Sequence, residues 1–281
     1  MGLFSIFKLS KRVYFPGCNL YFKNKSHLET YSDILYKIGI DFKFVEKKIC
    51  CGLPALELGY DSEARKIARR NFEIFKEENI GEIITSDPGC YKMFLKDYPN
   101  LVLDWNIKVE NFWKLVLEKL ESKPGLIKIK SSEAVTYQDN CYLGRHLGIY
   151  EEPRKILELL GYEIKEMFDS KEESICCGSC GQLSFTNIDM ANEIARERIL
   201  QAKRIGVSKI ITSSIADYEL LKNNSEGKIE IWDLSHAIGY ALGIRSKEDD
   251  FKKEVEDEEI LDKIHRDFED EEINKLVGGR E

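Results

Sequence analysis

The tightest constraint on this chain is a four-residue string that occurs twice, as Ile49-Cys50-Cys51-Gly52 and as Ile175-Cys176-Cys177-Gly178. Neighbouring Cα atoms across a trans peptide stand about 3.8 Å apart, whereas an ordinary disulfide needs roughly 4.4–6.8 Å. Adjacent cysteines are therefore poor partners for each other. As two thiolates about 4 Å apart they would repel by roughly 4 kcal/mol at an effective dielectric of 20. A metal ion or cluster removes that repulsion by accepting both sulfurs. The glycine that follows tolerates positive φ, so the backbone can turn closely around an inorganic core. A second copy inside matching flanks makes the string a repeat.

The repeat extends well beyond the strings. Cys18 and Cys141 lie 123 residues apart, Cys50 and Cys176 lie 126 apart, and Ile83 and Ile210 lie 127 apart. A period above 100 residues means duplicated domains, not a solenoid. Each copy alternates strand-like and helix-like stretches. In the first, Arg12-Val13-Tyr14-Phe15 leads to Pro16-Gly17-Cys18, and Phe42-Lys43-Phe44-Val45 leads to the first Cys-Cys-Gly. Glu82-Ile83-Ile84-Thr85 delivers Ser86-Asp87-Pro88-Gly89-Cys90, and Leu101-Val102-Leu103 reads as a further strand before a helix over Phe112 to Leu120. Ser26 with Glu29 has the spacing of a capping box for a helix ending at Gly39. Asp61 is placed to cap a long helix to about Glu78.

In the second copy, Ala134 to Tyr137 leads to Asp139-Asn140-Cys141, and a helix begins near Pro153. A strand from Tyr162 approaches the second pair, and Asn187 caps a helix to about Ile205. This alternation predicts an α/β fold of two tandem Rossmann-like halves with mostly parallel sheets, whose sites form beyond the carboxyl ends of strands. Each cysteine group falls in or near such a loop. Lys123-Pro124-Gly125 reads as the boundary. The expected segments are 1–11, a first domain over 12–125, a second over 126–245, and an acidic tail over 246–281.

The 281 residues suffice for one or two domains with real cores. No apolar run approaches the ~20 residues of a membrane span. The opening Met1-Gly2-Leu3-Phe4-Ser5-Ile6-Phe7 is apolar, but it lacks the length and cleavage site of a signal peptide. Ile6 also stands where myristoylation wants Ser or Thr. The segment reads as a docking or fraying terminus, with peripheral contact to a membrane as the other reading. Fifteen acidic and seven basic residues from Ser246 onward account for the whole formal charge of −8. The body is neutral and carries no basic field for nucleic acid. In the tail, Phe251, Val255, Leu261, Ile264 and Phe268 form a narrow stripe, suited to a solvated helix or to one that docks on a partner.

Eight cysteines fall four to a half: Cys18, Cys50, Cys51 and Cys90, then Cys141, Cys176, Cys177 and Cys180. An even count signals a disulfide framework in short secreted chains. With no signal peptide, a cytoplasmic location and metal ligation are expected instead. Four thiolates suit an iron–sulfur cluster or structural zinc. Zinc ribbons usually present two short Cys-to-Cys knuckles, and the first half has none. Its thiols arrive from three separated loops, which suits a large cluster in a cleft. In the second half Cys176, Cys177 and Cys180 are local, so zinc stands as an alternative there.

On these residues the chain resembles the cysteine-rich CCG domain of heterodisulfide reductase catalytic subunits, of the B and D types. That domain is shared with the C-type subunits of anaerobic glycerol-3-phosphate dehydrogenase and with lactate-utilisation protein A. The likeness covers roughly residues 12–243. Its most specific part is the paired cysteines with glycine, supported by Pro16-Gly17-Cys18, Gly89-Cys90-Tyr91 and Asp97-Tyr98-Pro99. The resemblance implies a noncubane [4Fe–4S] cluster held by one early cysteine, the adjacent pair and a late C-x-x-C. By that pattern Cys18, Cys50, Cys51 and Cys90 carry over as ligands in the first half, and Cys141, Cys176 and Cys177 in the second.

The chain departs from the family pattern at three places. Asp87 stands where the first late C-x-x-C begins, Ser214 and Asp217 stand at the second, and Cys180 replaces a glycine usual in the lactate-utilisation type. One or two clusters are expected, cubane or noncubane, with zinc in one half as the alternative. Asp87 is either a carboxylate ligand or a turn residue before Pro88-Gly89.

No nucleotide fingerprint, P-loop, flavin motif or ferredoxin-type cysteine run occurs, so electrons must enter from another protein. His27, His146, His236 and His265 follow no metal-ligand spacing. Arg145-His146, close to Cys141, reads as a structural pair, with charge or proton supply as the other reading. The expectation is an iron–sulfur oxidoreductase subunit with a ferredoxin-type or flavin-containing dehydrogenase partner. It would pass electrons to a disulfide, quinone or similar acceptor, with Cys50 and Cys51 at the reacting cluster. The rivals are a non-catalytic adaptor holding zinc or a single cubane, and a metal-free thiol–disulfide protein.

Overall fold

Short apolar runs, each followed by a stretch of helical period, pair into two parallel sheets. The computed structural model describes residues 10–47 and 49–244. The first half runs β1 (Lys11–Tyr14), α1 (Cys18–Phe22), α2 (Lys25–Lys37), β2 (Lys43–Phe44), α3 (Leu53–Glu57), α4 (Asp61–Glu77) and β3 (Ile80–Thr85). It continues through α5 (Pro88–Lys92), a π-helical turn at Met93–Asp97, α6 (Tyr98–Leu101), β4 (Lys108–Asn111) and α7 (Phe112–Ser122). The second half runs β5 (Ala134–Gln138), α8 (Glu151–Leu159), β6 (Glu163–Ile164), α9 (Leu183–Thr186), α10 (Ile188–Arg204), β7 (Lys209–Thr212), α11 (Ile215–Ser225), β8 (Glu230–Asp233) and α12 (Leu234–Ala241).

The sheet orders β2-β1-β3-β4 and β6-β5-β7-β8 correspond strand for strand. Every pairing is parallel, as helical crossovers require. Alternate residues face two different cores. Val13, Phe15 and Ile83 enter one cluster with Phe75, Phe94 and Tyr98, while Tyr14 and Ile84 enter another. Covered faces on both sides explain why the inner strands carry adjacent buried apolar residues, as at Val13-Tyr14, Ile83-Ile84 and Ile210-Ile211.

The larger core belongs to neither half alone. Tyr31 and Ile34 on α2 and Trp113, Val116 and Leu120 on α7 share it with Ile156 and Leu157 on α8 and with Leu234 and Ile238 on α12. Across this join the Tyr31 hydroxyl donates to Asp233 Oδ1 at 2.8 Å. Fully burying such apolar side chains contributes about 1.5–3 kcal/mol each.

Several local expectations change. Leu101-Val102-Leu103 is not a strand: α6 ends at Leu101, Leu101 and Val102 are buried, and Leu103 is exposed. The strand is Lys108–Asn111, while a three-letter apolar run has no period to separate strand from helix end. Ser26 does not cap α2, which begins at Lys25. The residue at the cap is Asn24, whose amide is drawn to Asn19 and to Glu219 of the second half. Asp61 is the first residue of α4 rather than its cap, placing negative charge with Glu63 in the first turn. Asn187 does cap α10, accepting from Met190 N at 3.1 Å. The expectations for residues 1–9, for the tail 246–281 and for His265 lie outside the described residues.

Candidate metal centres

Loops at the carboxyl ends of the strands deliver the thiols. Cys18 opens α1 after β1, Cys50 and Cys51 lie between β2 and α3, and Cys90 sits in α5 after β3. In the second half Cys141 follows β5, and Cys176, Cys177 and Cys180 lie between β6 and α9. All eight are free thiols.

In the first set, Cys51 Sγ and Cys90 Sγ are 3.2 Å apart. Gly17 has φ +88°, and a Cβ there would stand 3.0 Å from Asp87 Cβ and 3.4 Å from Cys90 Sγ. The pair is pinned from behind: Asn71 Nδ2 donates to Cys50 O at 2.7 Å, and the Tyr98 hydroxyl donates to Cys51 O at 3.0 Å. Asp87 Oδ1 accepts from Cys90 N at 2.7 Å, so the carboxylate caps α5. Desolvation pushes its carboxyl pKa above the ordinary range.

In the second set, Cys141, Cys176 and Cys180 bring their sulfurs within 4.8 Å of one another. Cys177 is buried, with Ser179 Oγ 3.5 Å from its sulfur. Asp217, five residues past the end of β7, occupies the place that Cys90 holds five residues past the end of β3. Its buried carboxylate accepts from Asn140 Nδ2 at 3.0 and 3.2 Å, from Ser179 Oγ at 2.5 Å and from Thr212 Oγ1 at 3.3 Å. Ser214 stands in for Asp87, capping α11 through Asp217 N. Arg145 Nη1 donates to Ser174 O at 2.5 Å, tying the Cys141 loop to the Cys176 loop as a structural residue.

Each adjacent pair splits electrically. Thiol hydrogen bonds from Cys18 and then Cys51 hold Cys50 down at a pKa of about 3. Those from Cys141, Cys177 and Cys180 likewise push Cys176 down. Bonded to these thiolates, Cys51 and Cys177 are pushed up. The opposite shifts within each pair reflect the cost of ionising two neighbouring sulfurs together without a cation.

Beyond the cysteines, sequence reasoning missed several residues. Arg198 is fully buried at the position equivalent to Asn71 and donates to Gln138 Oε1 at 2.5 Å and to Asp169 O at 2.8 Å. Arg154 clasps both oxygens of buried Asp139 at 2.6 and 2.8 Å. The rings of His27 and His236 meet at 4.5 Å beside Tyr218, though nothing in their sequence positions links them. Arg154 and Arg198 lie in the charge-rich helices α8 and α10, where nothing local distinguishes a buried arginine from an exposed one.

A doubled parallel α/β scaffold with four free cysteines on loops at the carboxyl ends of each sheet's strands defines a class of duplicated, cysteine-rich proteins. The CCG cysteine-rich domain matches residues 12–95 and 135–216, more than half of the chain, and the chain belongs to that family. It is 29% identical over 245 residues to the D-type subunit of the dihydromethanophenazine:CoB--CoM heterodisulfide reductase of Methanosarcina acetivorans, covering 83% of this chain and 59% of that one. It is also 29% identical over 217 residues to the EtfAB:quinone oxidoreductase of Syntrophomonas wolfei, covering 75% and 29%. A probable glycolate oxidase iron-sulfur subunit of Bacillus subtilis is 28% identical over 224 residues, covering 75% and 49%. The chain thus spans 59% or less of the length of these curated relatives.

Proposed function

We propose that the chain is an iron–sulfur oxidoreductase subunit. Cys18, Cys50, Cys51 and Cys90 hold one [4Fe–4S] cluster, and Cys141, Cys176, Cys177 and Cys180 hold a second centre. The observation that carries this reading is that each half sets four free cysteines on loops at the carboxyl ends of its strands, with the Cys51 and Cys90 sulfurs 3.2 Å apart in the first half and those of Cys141, Cys176 and Cys180 within 4.8 Å of one another in the second. Such a donor set fits a thiolate-ligated cluster, and the relatives' names point the same way. When bound, such clusters supply one-electron transfer.

The chain's own residues then have defined tasks. The cysteines neutralise and grip the metal. Asn71 and Tyr98 fix the peptide of the first pair, and burial of Cys51, Cys90 and Cys177 keeps water from those sulfurs. Asp87 acts as the cap of α5. Electrons pass between a ferredoxin-type or flavin-containing partner protein and a disulfide, quinone or similar acceptor, in the cytoplasm. Among the described residues no helix is long and apolar enough to cross a membrane.

One observation favours a second reading for the second half. Sulfurs within 4.8 Å of one another also suit a single tetrahedral ion, so Cys141, Cys176 and Cys180 could ligate zinc. Metal and sulfide analysis of anaerobically isolated protein, with EPR in both redox states, tests both. About 4 Fe with matching sulfide per occupied half is expected. One iron–sulfur half with one zinc would favour the second reading, and a preparation without iron or sulfide would overturn the proposal. Cys51→Ala should remove the iron of the first half and leave the other metal in place.

A further inference from the structure

We propose that Glu57 is a positioning residue that locks the two cysteine sites to each other across the join between the halves. It rests on the reading of both sets as metal centres. Glu57 ends α3, the short helix that starts directly after Cys50-Cys51-Gly52. Both of its carboxylate oxygens leave the first half. Oε1 accepts from the Tyr142 hydroxyl, and Oε2 accepts from Gln182 Nε2 at 2.7 Å. The Tyr142 hydroxyl in turn accepts from Gly181 N at 3.2 Å.

Tyr142 directly follows Cys141, and Gly181-Gln182 directly follows Cys180. One carboxylate of the first half therefore grips the residues next to two thiols of the second. The Tyr142 ring also covers Gly89, the residue before Cys90: a Cβ at Gly89 would lie 3.5 Å from Tyr142 Cε2 and only 2.5 Å from Leu53 Cδ2. Packing agrees with the hydrogen bonds. Cys141, Tyr142 and Cys180 belong to the cluster that contains Cys51, Leu53 and Cys90, whereas Cys177 packs apart, with Ala191 and Ile199. Cys141 and Cys180 thus form the side of the second site that faces the first, and the Glu57 network fixes their loops there. A partly buried carboxylate between two thiol sets is otherwise unfavourable by charge, and its two hydrogen bonds, from Tyr142 and Gln182, offset that.

The test compares Tyr142→Phe, Glu57→Ala and Glu57→Gln with the wild-type chain, each assayed for iron and sulfide. Tyr142→Phe keeps the ring over Gly89 and removes only the hydroxyl. Hydrogen exchange at Gly181 and Gln182 should accelerate about tenfold in Tyr142→Phe and Glu57→Ala, with the Cys50–Gly52 peptide unchanged. Glu57→Gln, which keeps an acceptor for Tyr142, should stay near wild type. With both centres paramagnetic, the EPR splitting from their mutual interaction should change in the first two variants only. Wild-type exchange and unaltered splitting in Tyr142→Phe and Glu57→Ala would overturn the proposal. A wild-type chain without iron would overturn the metal reading instead, and the exchange data would still decide the Glu57 link.

Discussion

At Gly178 a methyl group has nowhere to go. Its φ is +100°, and a Cβ would lie 2.5 Å from Ala191 O and 3.2 Å from Ala191 C, all backbone. The equivalent Gly52 has φ +89°, but its Cβ would meet side-chain atoms alone, of Ile67 at 3.1 Å and Met93 at 3.7 Å. The left-handed backbone costs a non-glycine residue about 1–2 kcal/mol at either place. Gly52→Ala should lose about that much, and Gly178→Ala more, with its metal; urea midpoints and metal content measure both. Asp233 gives a second residue-level prediction. It is fully buried, Oδ1 accepts from Tyr31 Oη at 2.8 Å and Ser235 N at 2.9 Å, and Oδ2 makes no hydrogen bond among the described residues. Burial raises its pKa to about 6. The folded carboxyl therefore holds its proton better than an unfolded one near 4, so its contribution is full below about pH 4 and lost as pH rises through about 6. Asp233→Asn should abolish that loss and be more stable than wild type at pH 8, by up to about 3 kcal/mol, but not at pH 4; denaturation at the two pH values checks it. The Cys-Cys-Gly strings were legible because their chemistry is local. Asp217 was legible only as a departure from the late C-x-x-C, and the roles of Asp217, Arg198 and Glu57 were not, because their partners lie tens to more than a hundred residues away.

At the scale of elements, α5 shows how one helix end serves a site. Asp87 caps it by accepting from Cys90 N, and the same bond orients the cysteine. Asp87→Ala should cost about 1 kcal/mol through the lost cap, whereas Asp87→Asn keeps an acceptor and should retain stability and iron. Loss of iron in Asp87→Asn would show the carboxylate to be a ligand, which metal analysis of the two variants decides. Strands β1, β3, β5 and β7 were legible from their adjacent β-branched and aromatic residues, as in Val13-Tyr14, Ile83-Ile84, Val135 to Tyr137 and Ile210-Ile211. Edge strand β4, Lys-Val-Glu-Asn, offers one apolar residue and was not. Helices α1 and α3, five residues each, are too short for a periodic signal, and tertiary contacts hold them.

For the whole molecule, the duplication suggested two domains meeting near Lys123-Pro124-Gly125, each with its own core. The packing argues for two copies but one folding unit. Tyr31, Trp113, Val116 and Leu120 are buried against α8 and α12, so a separated first half would expose them to water. Composition and period cannot show this, because an apolar helix face reads the same whichever half it meets. Trp113 sits fully buried at this join, with Phe112 at 5.0 Å and Tyr31 at 5.6 Å between ring centroids. Trp113→Ala should cost about 3–5 kcal/mol through lost burial and the cavity left behind. If the halves share one transition, hydrogen exchange in β5 and β7 must rise as much as in β1 and β3, although the substitution lies in the first half. Protection lost in the first sheet alone, with the second intact, would instead show two independently folding domains joined at that boundary.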